Sequence, residues 1–444
     1  MRTIDHLPDE TLFAIFEIVL APTIYNFGRV ISLTHVSRRW MVVLRDNGRI
    51  WSNIHIHGQD LAMLDAQITL CREAPLFVLI KEAPQSRTKH PRHLNLQANI
   101  RGAANLIRQR REQVKRLEVH MDHRTFQQQL GYEWFGLKEL VWVEVCPPGS
   151  RVHGANRTDL ASGVLPRLKV LSVKGGINWS MNVATHLTTF ELQGPMNLDL
   201  PTLVKFFRKN TSLESLKLDD LDIRGPPASC REKPIELLHL TKLSVHNATC
   251  GSLLSLLNLP SLKRLWVFSL KGRNPWSDYN WSKHCSRLSL ANLEAQYLAS
   301  QHERITVFGS VGPGTESLRF TEFSPVTQGA TLFESFSNAS LPSITSLFLI
   351  KDMPEGGVPS SLTAAICNLL EQLPRVERMR LCPSELTVEV MRRLSNDSEL
   401  CPELRELEVT VTDETRRAVV ELEAEVVKVR AGGGDGRKIN IKYL

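Results

Sequence analysis

Residues that could carry chemistry are few in this 444-residue chain, and none lies in a pattern that a catalytic motif requires. His90 and His93 flank a Pro-Arg pair in a polar stretch, so we interpret them as surface residues rather than metal ligands. Cys382 precedes a proline without a base nearby in sequence, and the glycine run at 432–436 lacks the Lys-Ser/Thr pair of a phosphate-binding loop. The eight cysteines contain no C-x-x-C pair, which argues against a zinc site and a disulfide framework. We therefore expect no enzyme activity, no metal and no other cofactor.

The charge and hydropathy of the chain exclude two further classes of function. The net charge is +7, and basic residues cluster only at 108–116. A nucleic-acid-binding protein needs a dense basic face with interleaved aromatic residues, so we expect no nucleic-acid partner. No apolar run is long enough to cross a bilayer, and reduced cysteines are typical of the cytosol and nucleus. We therefore expect no membrane association and a soluble protein of the cytoplasm, the nucleus or both.

The N-terminal residues predict three short helices. In the first, over 7–20, apolar residues recur at i, i+3, i+4 and i+7, which places Leu12, Ile15, Phe16 and Val19 on one face. A second helix is marked by apolar residues near 30–36. Residue Ser37 can cap a third helix, which stops at Asn47-Gly48. Three helices of this size bury too little surface to be stable alone, so we expect them to complete their core against a partner.

Three sequence blocks in this segment resemble the F-box motif. They are Leu7-Pro8-Asp9-Glu10-x-Leu12-x-x-Ile15-Phe16, Val36-Ser37-Arg38-Arg39-Trp40 and Ile50-Trp51-Ser52-Asn53-Ile54. The resemblance implies an F-box over residues 1–57 that docks on a Skp-family adaptor and, through it, on a cullin. The residues that we expect on the adaptor-binding face are Leu7, Pro8, Glu10, Leu12, Ile15, Phe16, Val30, Leu33, Val36, Ser37 and Arg39.

From residue 58 onwards a run of form L-x-x-L-x-L recurs at steps of 19 to 32 residues between most neighbouring copies. Short apolar helices precede many copies, and a proline often separates helix from strand. The pattern resembles a degenerate leucine-rich repeat solenoid over 58–444, of the kind seen behind the F-box in large fungal families. The expected fold class is therefore α/β: a three-helix F-box, then an irregular solenoid with a curved, mainly parallel sheet and outer helices. A βαβ sheet protein with alternating strands and helices stays open as the alternative.

Two segments depart from the repeat. The regular spacing of the repeat is lost over 276–328. Strand-like runs at 305–308 and 317–320 predict an insertion or a hairpin in place of a repeat there. The tail over 423–444 predicts a closing hairpin around its glycine run, which would protect the exposed edge of the sheet.

The residues between the repeat leucines define a candidate substrate-binding face. Side chains alternate across a strand, so the neighbours of the buried leucines point to the opposite face. Aromatic residues and arginines carry most of the binding energy in interfaces. The candidates are Arg264, Trp266, Phe268, Phe348, Ile350, Arg378 and Arg380. Alternatively, the segment 276–328 folds back and covers the aromatic residues as ordinary core.

An F-box followed by a leucine-rich solenoid resembles the substrate-recognition subunits of cullin–RING (SCF-type) ubiquitin ligases. The resemblance implies a non-catalytic receptor whose solenoid binds an unknown target protein. One alternative is a scaffold that binds the adaptor without promoting ubiquitination. Another is an extracellular recognition module, for which the seven N-x-Ser/Thr sequons would have to carry glycans.

Overall fold

The computed structural model describes the following residues: 4–20, 27–56, 60–81, 91–121, 134, 136–144, 165–175, 184–224, 233–246, 251–268, 292–298, 304–312, 315–323, 341, 343–350, 360–381, 385–411, 413–432 and 439–443. The chain forms two compact units. The first contains Met1–Asn197 and Lys205–Leu213, and the second contains Leu198–Val204 and Glu214–Leu444.

The first unit begins with helices. A 3-10 turn at Ile4–His6 is followed by α1 (Asp9–Leu20), α2 (Phe27–Thr34), α3 (Arg38–Asp46) and α4 (Gly48–Trp51). Ser37 caps α3 by accepting a hydrogen bond from the Trp40 amide at 3.1 Å, and Asn47 follows its last residue. The three predicted helices are therefore confirmed, and α4 is an additional turn that leads into the first strand.

Six parallel strands follow in the first unit, and each neighbours the next in chain order. The elements are β1 (Asn53–Ile56), α5 (Leu61–Cys71), β2 (Leu76–Lys81), α6 (Pro91–Gln109), β3 (Val114–Met121), β4 (Glu139–Glu144), β5 (Val170–Lys174), β6 (Thr189–Asp199) and α7 (Leu200–Lys209), which contributes to both units. The repeat leucines are buried at equivalent positions, as Leu140 and Leu171 illustrate in paired register. Burial of one face explains the period-two pattern of these strands.

The second unit has a mostly parallel sheet with one antiparallel insertion. Its elements are β7 (Ser215–Arg224), β8 (Ile235–Glu236), β9 (Lys242–His246), α8 (Gly251–Leu256), β10 (Leu257–Asn258), β11 (Arg264–Phe268), β12 (Asn292–Leu298), β13 (Arg304–Gly312), β14 (Thr315–Phe323), β15 (Ser346–Ile350), α9 (Ser360–Glu371), β16 (Arg378–Leu381), α10 (Glu385–Asn396), β17 (Glu406–Val409), α11 (Asp413–Gly432) and β18 (Asn440–Tyr443). The strand order is β7-β9-β11-β14-β13-β12-β15-β16-β17-β18, with β8 and β10 paired separately.

The irregular segment inserts three strands between β11 and β15. Strands β13 and β14 pair antiparallel, as do β12 and β13, whereas β14 is parallel to β11 and β12 is parallel to β15. The antiparallel pair of β13 and β14 lies in the segment for which the sequence predicts an insertion or a hairpin. The extra strand β12 restores the direction of the chain, because an even number of antiparallel steps separates β14 from β12.

The predicted C-terminal hairpin over 423–444 is wrong in its first arm. Residues 423–430 lie within α11, and β18 pairs parallel with β17. Val426 in this segment and Val419, seven residues before it, are both buried. That spacing belongs to one helix face, so it is the helical period that governs this segment.

The described structure is a mixed α/β fold with N-terminal helices and mostly parallel sheets, and this part of the predicted fold class is confirmed. The predicted end of the F-box at residue 57 does not coincide with a boundary between the two compact units. Strand β1 pairs with β2, and both belong to the first unit. Within the described ranges, every helix falls short of the length and apolar character that crossing a bilayer demands.

Candidate functional site

Three residues predicted on the adaptor-binding face are buried in the chain itself. Leu12 and Phe16 of α1 and Val30 of α2 are at most 3% exposed. The Phe16 ring meets the Trp40 ring edge-on, with centroids 4.9 Å apart. Their side chains form the core beneath the helical surface, so their prediction as contact residues is corrected.

An arginine ties the Leu-Pro start to α3. The Arg39 guanidinium donates to the Asp9 carboxylate, with Nε 2.9 Å and Nη2 2.6 Å from Oδ1, and Nη2 also donates to the Leu7 carbonyl. This contact holds the residues before α1 against the start of α3. Besides its predicted place on the adaptor-binding face, Arg39 therefore positions Leu7 and Asp9, which the motif alone does not reveal.

Apolar side chains remain exposed on the helical module, which we define as residues 4–51. Ile18 is 72% exposed and Val36 is 59% exposed, and the other large exposed apolar residues of the module are Ile4, Val19 and Val42. Val19 lies outside the buried face on which its spacing placed it. The predicted residues that do reach the surface, fully or in part, are Leu7, Pro8, Glu10, Ile15, Leu33, Val36, Ser37 and Arg39. These apolar side chains are available for contact with a partner, and contiguous exposed apolar area is what marks an interface.

A dense buried joint fixes the module to the strand that follows. Trp51 is buried, and its Nε1 donates to the Leu44 carbonyl at 2.8 Å. The Trp51 carbonyl in turn accepts hydrogen bonds from Gln67 Nε2 at 3.0 Å and from the Cys71 thiol at 3.1 Å. A Cβ on Gly48 would lie 2.3 Å from the Cys71 carbonyl oxygen, so α4 and α5 approach as closely as glycine allows. Burial raises the pKa of the Cys71 thiol to about 12, which keeps it neutral.

In the second unit, strand register places three of the predicted substrate-binding residues in one row across the sheet. Trp266 pairs with Arg319, Arg319 with Phe308, Phe308 with Glu294, Glu294 with Phe348 and Phe348 with Arg380. We call this line of register positions the central row. Arg264 and Arg378 lie two residues before it on their strands, and Phe268 and Ile350 lie two residues after it.

The central row contains positions that sequence reasoning missed. Phe308, Arg319 and Glu294 enter it through the three inserted strands. The strand-like runs at 305–308 and 317–320 are visible in the sequence. Their places in the row depend on the antiparallel register and on β12, neither of which the repeat pattern encodes.

The exposure of the predicted face is uneven. Arg264 and Arg378 are exposed, whereas Trp266, Phe348 and Arg380 are half-buried. The described strands of the irregular segment lie beside β11 in the sheet, and the remainder of 276–328 lies outside the described residues. Two polar atoms of this region, Trp266 Nε1 and Ser346 Oγ, are buried without a hydrogen-bond partner within the described structure.

Two other predictions from the sequence concern a glycosylation sequon and possible metal ligands. The Asn210 side chain is buried, accepts from the Leu187 amide at 3.1 Å, and donates to the carbonyls of Ala184 and Phe206. A glycan on this sequon is incompatible with that arrangement, which weighs against the extracellular alternative. His90 and Cys382 lie outside the described residues, and the described part of the chain brings together no metal-binding group of histidine, cysteine and acidic side chains.

Comparison with known families identifies the N-terminal segment. Residues 4–57 match the family model described as F-box-like. The chain therefore carries an F-box-like domain, as its three sequence blocks predict. No curated protein matches the chain.

Proposed function

We propose that the protein is a substrate-recognition subunit of a cullin–RING (SCF-type) ubiquitin ligase. The F-box-like domain docks on a Skp-family adaptor and through it on a cullin, and the sheet face of the second unit binds the target protein. The match over residues 4–57 carries the proposal, because F-box domains in general bind Skp-family adaptors. The degenerate leucine-rich repeat interpretation of residues 58–444 belongs to the same proposal.

The burial of the helical module supports a specific docking surface. Leu12, Phe16 and Val30 hold the helices together, so the adaptor meets the side chains above them. Val36 is the best candidate for a central contact, because it is a large exposed apolar residue inside a motif block. Covering such residues removes apolar area from water, at about 25 cal/mol per Å².

The proposed receptor contributes proximity rather than chemistry. Holding a target near the charged ubiquitin carrier converts an encounter between molecules into one within a complex, which raises the effective concentration of the target lysine. No nucleophile or base of this chain is needed for that role.

Co-purification of the full chain with a Skp-family adaptor and a cullin tests the proposal. We expect all three to elute as one complex, and we expect the complex to transfer ubiquitin to proteins captured by this chain. Recovery of the adaptor without the cullin would instead support the scaffold alternative. Failure to recover the adaptor would refute both.

A further inference from the structure

Two basic residues lie side by side on the sheet face of the second unit. Lys242 on β9 lies directly opposite Arg264 on β11, and both side chains are exposed. Lys217 on β7 is on the same face, one register row further along and opposite Ser244. We define Lys217, Lys242 and Arg264 as the basic patch. We propose that it binds an acidic, unmodified peptide segment of the target protein through aspartate or glutamate side chains.

Like charges in directly opposed positions of neighbouring strands destabilise a sheet. In each of the two units, another directly opposed pair carries opposite charges. Arg116 on β3 lies 3.2 Å from Glu139 on β4, and Arg380 on β16 lies 4.0 Å from Glu408 on β17. Within the described structure, Lys242 and Arg264 have no carboxylate within ion-pair distance. The missing negative charge is what a bound partner would supply.

An aromatic side chain adjoins the basic patch and gives the partner an apolar contact. Trp266 is two residues beyond Arg264 on β11, directly opposite Ser244, and half-buried. Because the Trp266 ring is already half-buried, it loses little conformational entropy when a partner packs against it. Tryptophan beside arginine is the composition typical of binding hot spots.

The geometry favours separate carboxylates over a phosphate group or a nucleic acid. The three cations come from three neighbouring strands and from two register rows, so carboxylates spaced along a peptide can meet them one at a time. Asp219 lies on the same face of β7, opposite His246, where it would repel a continuous phosphate backbone. A peptide can place its carboxylates over the basic patch and a neutral residue beside Asp219.

This inference rests on the proposed function, because the bound segment belongs to the target protein. The test uses the full chain in complex with its adaptor and a fluorescein-labelled peptide of about 12 residues. In this peptide glutamate alternates with serine around a central tyrosine. Fluorescence anisotropy gives the affinity. We expect the double variant Lys242→Glu, Arg264→Glu to weaken binding at least about tenfold.

A matched control separates the basic patch from the net charge of the protein. Lys138→Glu with Arg167→Glu makes the same change of charge at exposed positions of the first unit, and we expect its affinity to stay within about twofold of the wild type. If the first variant fails to fold, Lys242→Gln with Arg264→Gln removes the charges more gently and must still weaken binding.

Three results would overturn the inference: equal weakening by both double variants, no measurable binding by the wild type, or tighter binding of a uridine oligonucleotide of equal charge. Adaptor binding is recorded on the same samples. If the wild type binds the adaptor but not the peptide, the inference alone is defeated, whereas absence of adaptor binding by the wild type defeats the proposed function.

Discussion

Replacing Gly48 by alanine should loosen the joint between α4 and α5. The added Cβ would lie 2.3 Å from the carbonyl oxygen and 2.9 Å from the carbonyl carbon of Cys71, where ordinary contacts begin at 3.4 Å. Both are backbone atoms, so relief requires one helix to move by roughly 1 Å. Overpacking of this kind costs about 1–3 kcal/mol. The shift would also strain the hydrogen bonds from Gln67 and Cys71 to the Trp51 carbonyl.

Differential scanning calorimetry of the full chain measures the effect. For a unit of about 200 residues, this loss lowers Tm by roughly 3–9 °C. Gly28→Ala in α2 is the matched control, because no atom beyond its chain neighbours and its own helix backbone lies within 4 Å of its added Cβ. Alanine in a helix is favoured over glycine by up to about 1 kcal/mol, so Gly28→Ala should leave Tm unchanged or raise it. A Gly48→Ala protein that melts with the wild type would refute the close approach of the two helices.

Four further substitutions test individual contacts. Ser346→Ala removes a buried hydroxyl that lacks a partner within the described structure, so it should raise Tm. Ser172→Ala removes the 3.2 Å hydrogen bond to Glu191, so it should lower Tm through a loss of about 1 kcal/mol of stability. A lower Tm for the first variant, or a higher Tm for the second, would contradict the corresponding assignment. Gln67→Leu leaves the Trp51 and Asn53 carbonyls without its hydrogen bonds, and urea denaturation should show a loss of about 1–3 kcal/mol. The folded Cys71 thiol has a pKa of about 12 against 9.0 for an ordinary thiol, so the stability that it provides is complete below pH 9 and is lost as the pH rises towards 12. Cys71→Ser should therefore flatten the fall in stability over that range, and an unchanged slope would show that the thiol ionises in the folded protein.

Local chemistry accounts for the features that sequence predicts well. The Ser37 cap, the end of α3 before Asn47 and the burial of leucines such as Leu140 each depend on residues close in sequence or on one strand period. The F-box-like domain is recognisable for the same reason, since its motif blocks encode helix starts and core contacts.

Tertiary packing decides the features that sequence predicts poorly. Leu12 and Val19 share one helical period, yet Leu12 is buried and Val19 exposed, because α1 packs against its neighbours along only part of its length. Likewise, the register of β12 to β14 carries Phe308 into the central row, and no local pattern specifies that pairing. The structure was therefore needed to show which residues share a surface. The F-box-like domain could be identified from the sequence alone.

The central claim is that residues 4–57 dock the protein on a Skp-family adaptor. Isothermal titration calorimetry of the full chain with that adaptor tests it most directly, with Val36→Asp as the probe and Val420→Asp as an equally simple change at an exposed valine of α11. We predict one-to-one binding by the wild type and by Val420→Asp, and at least about a tenfold weaker affinity for Val36→Asp. Binding that is absent in the wild type, or equal in all three proteins, would contradict the account.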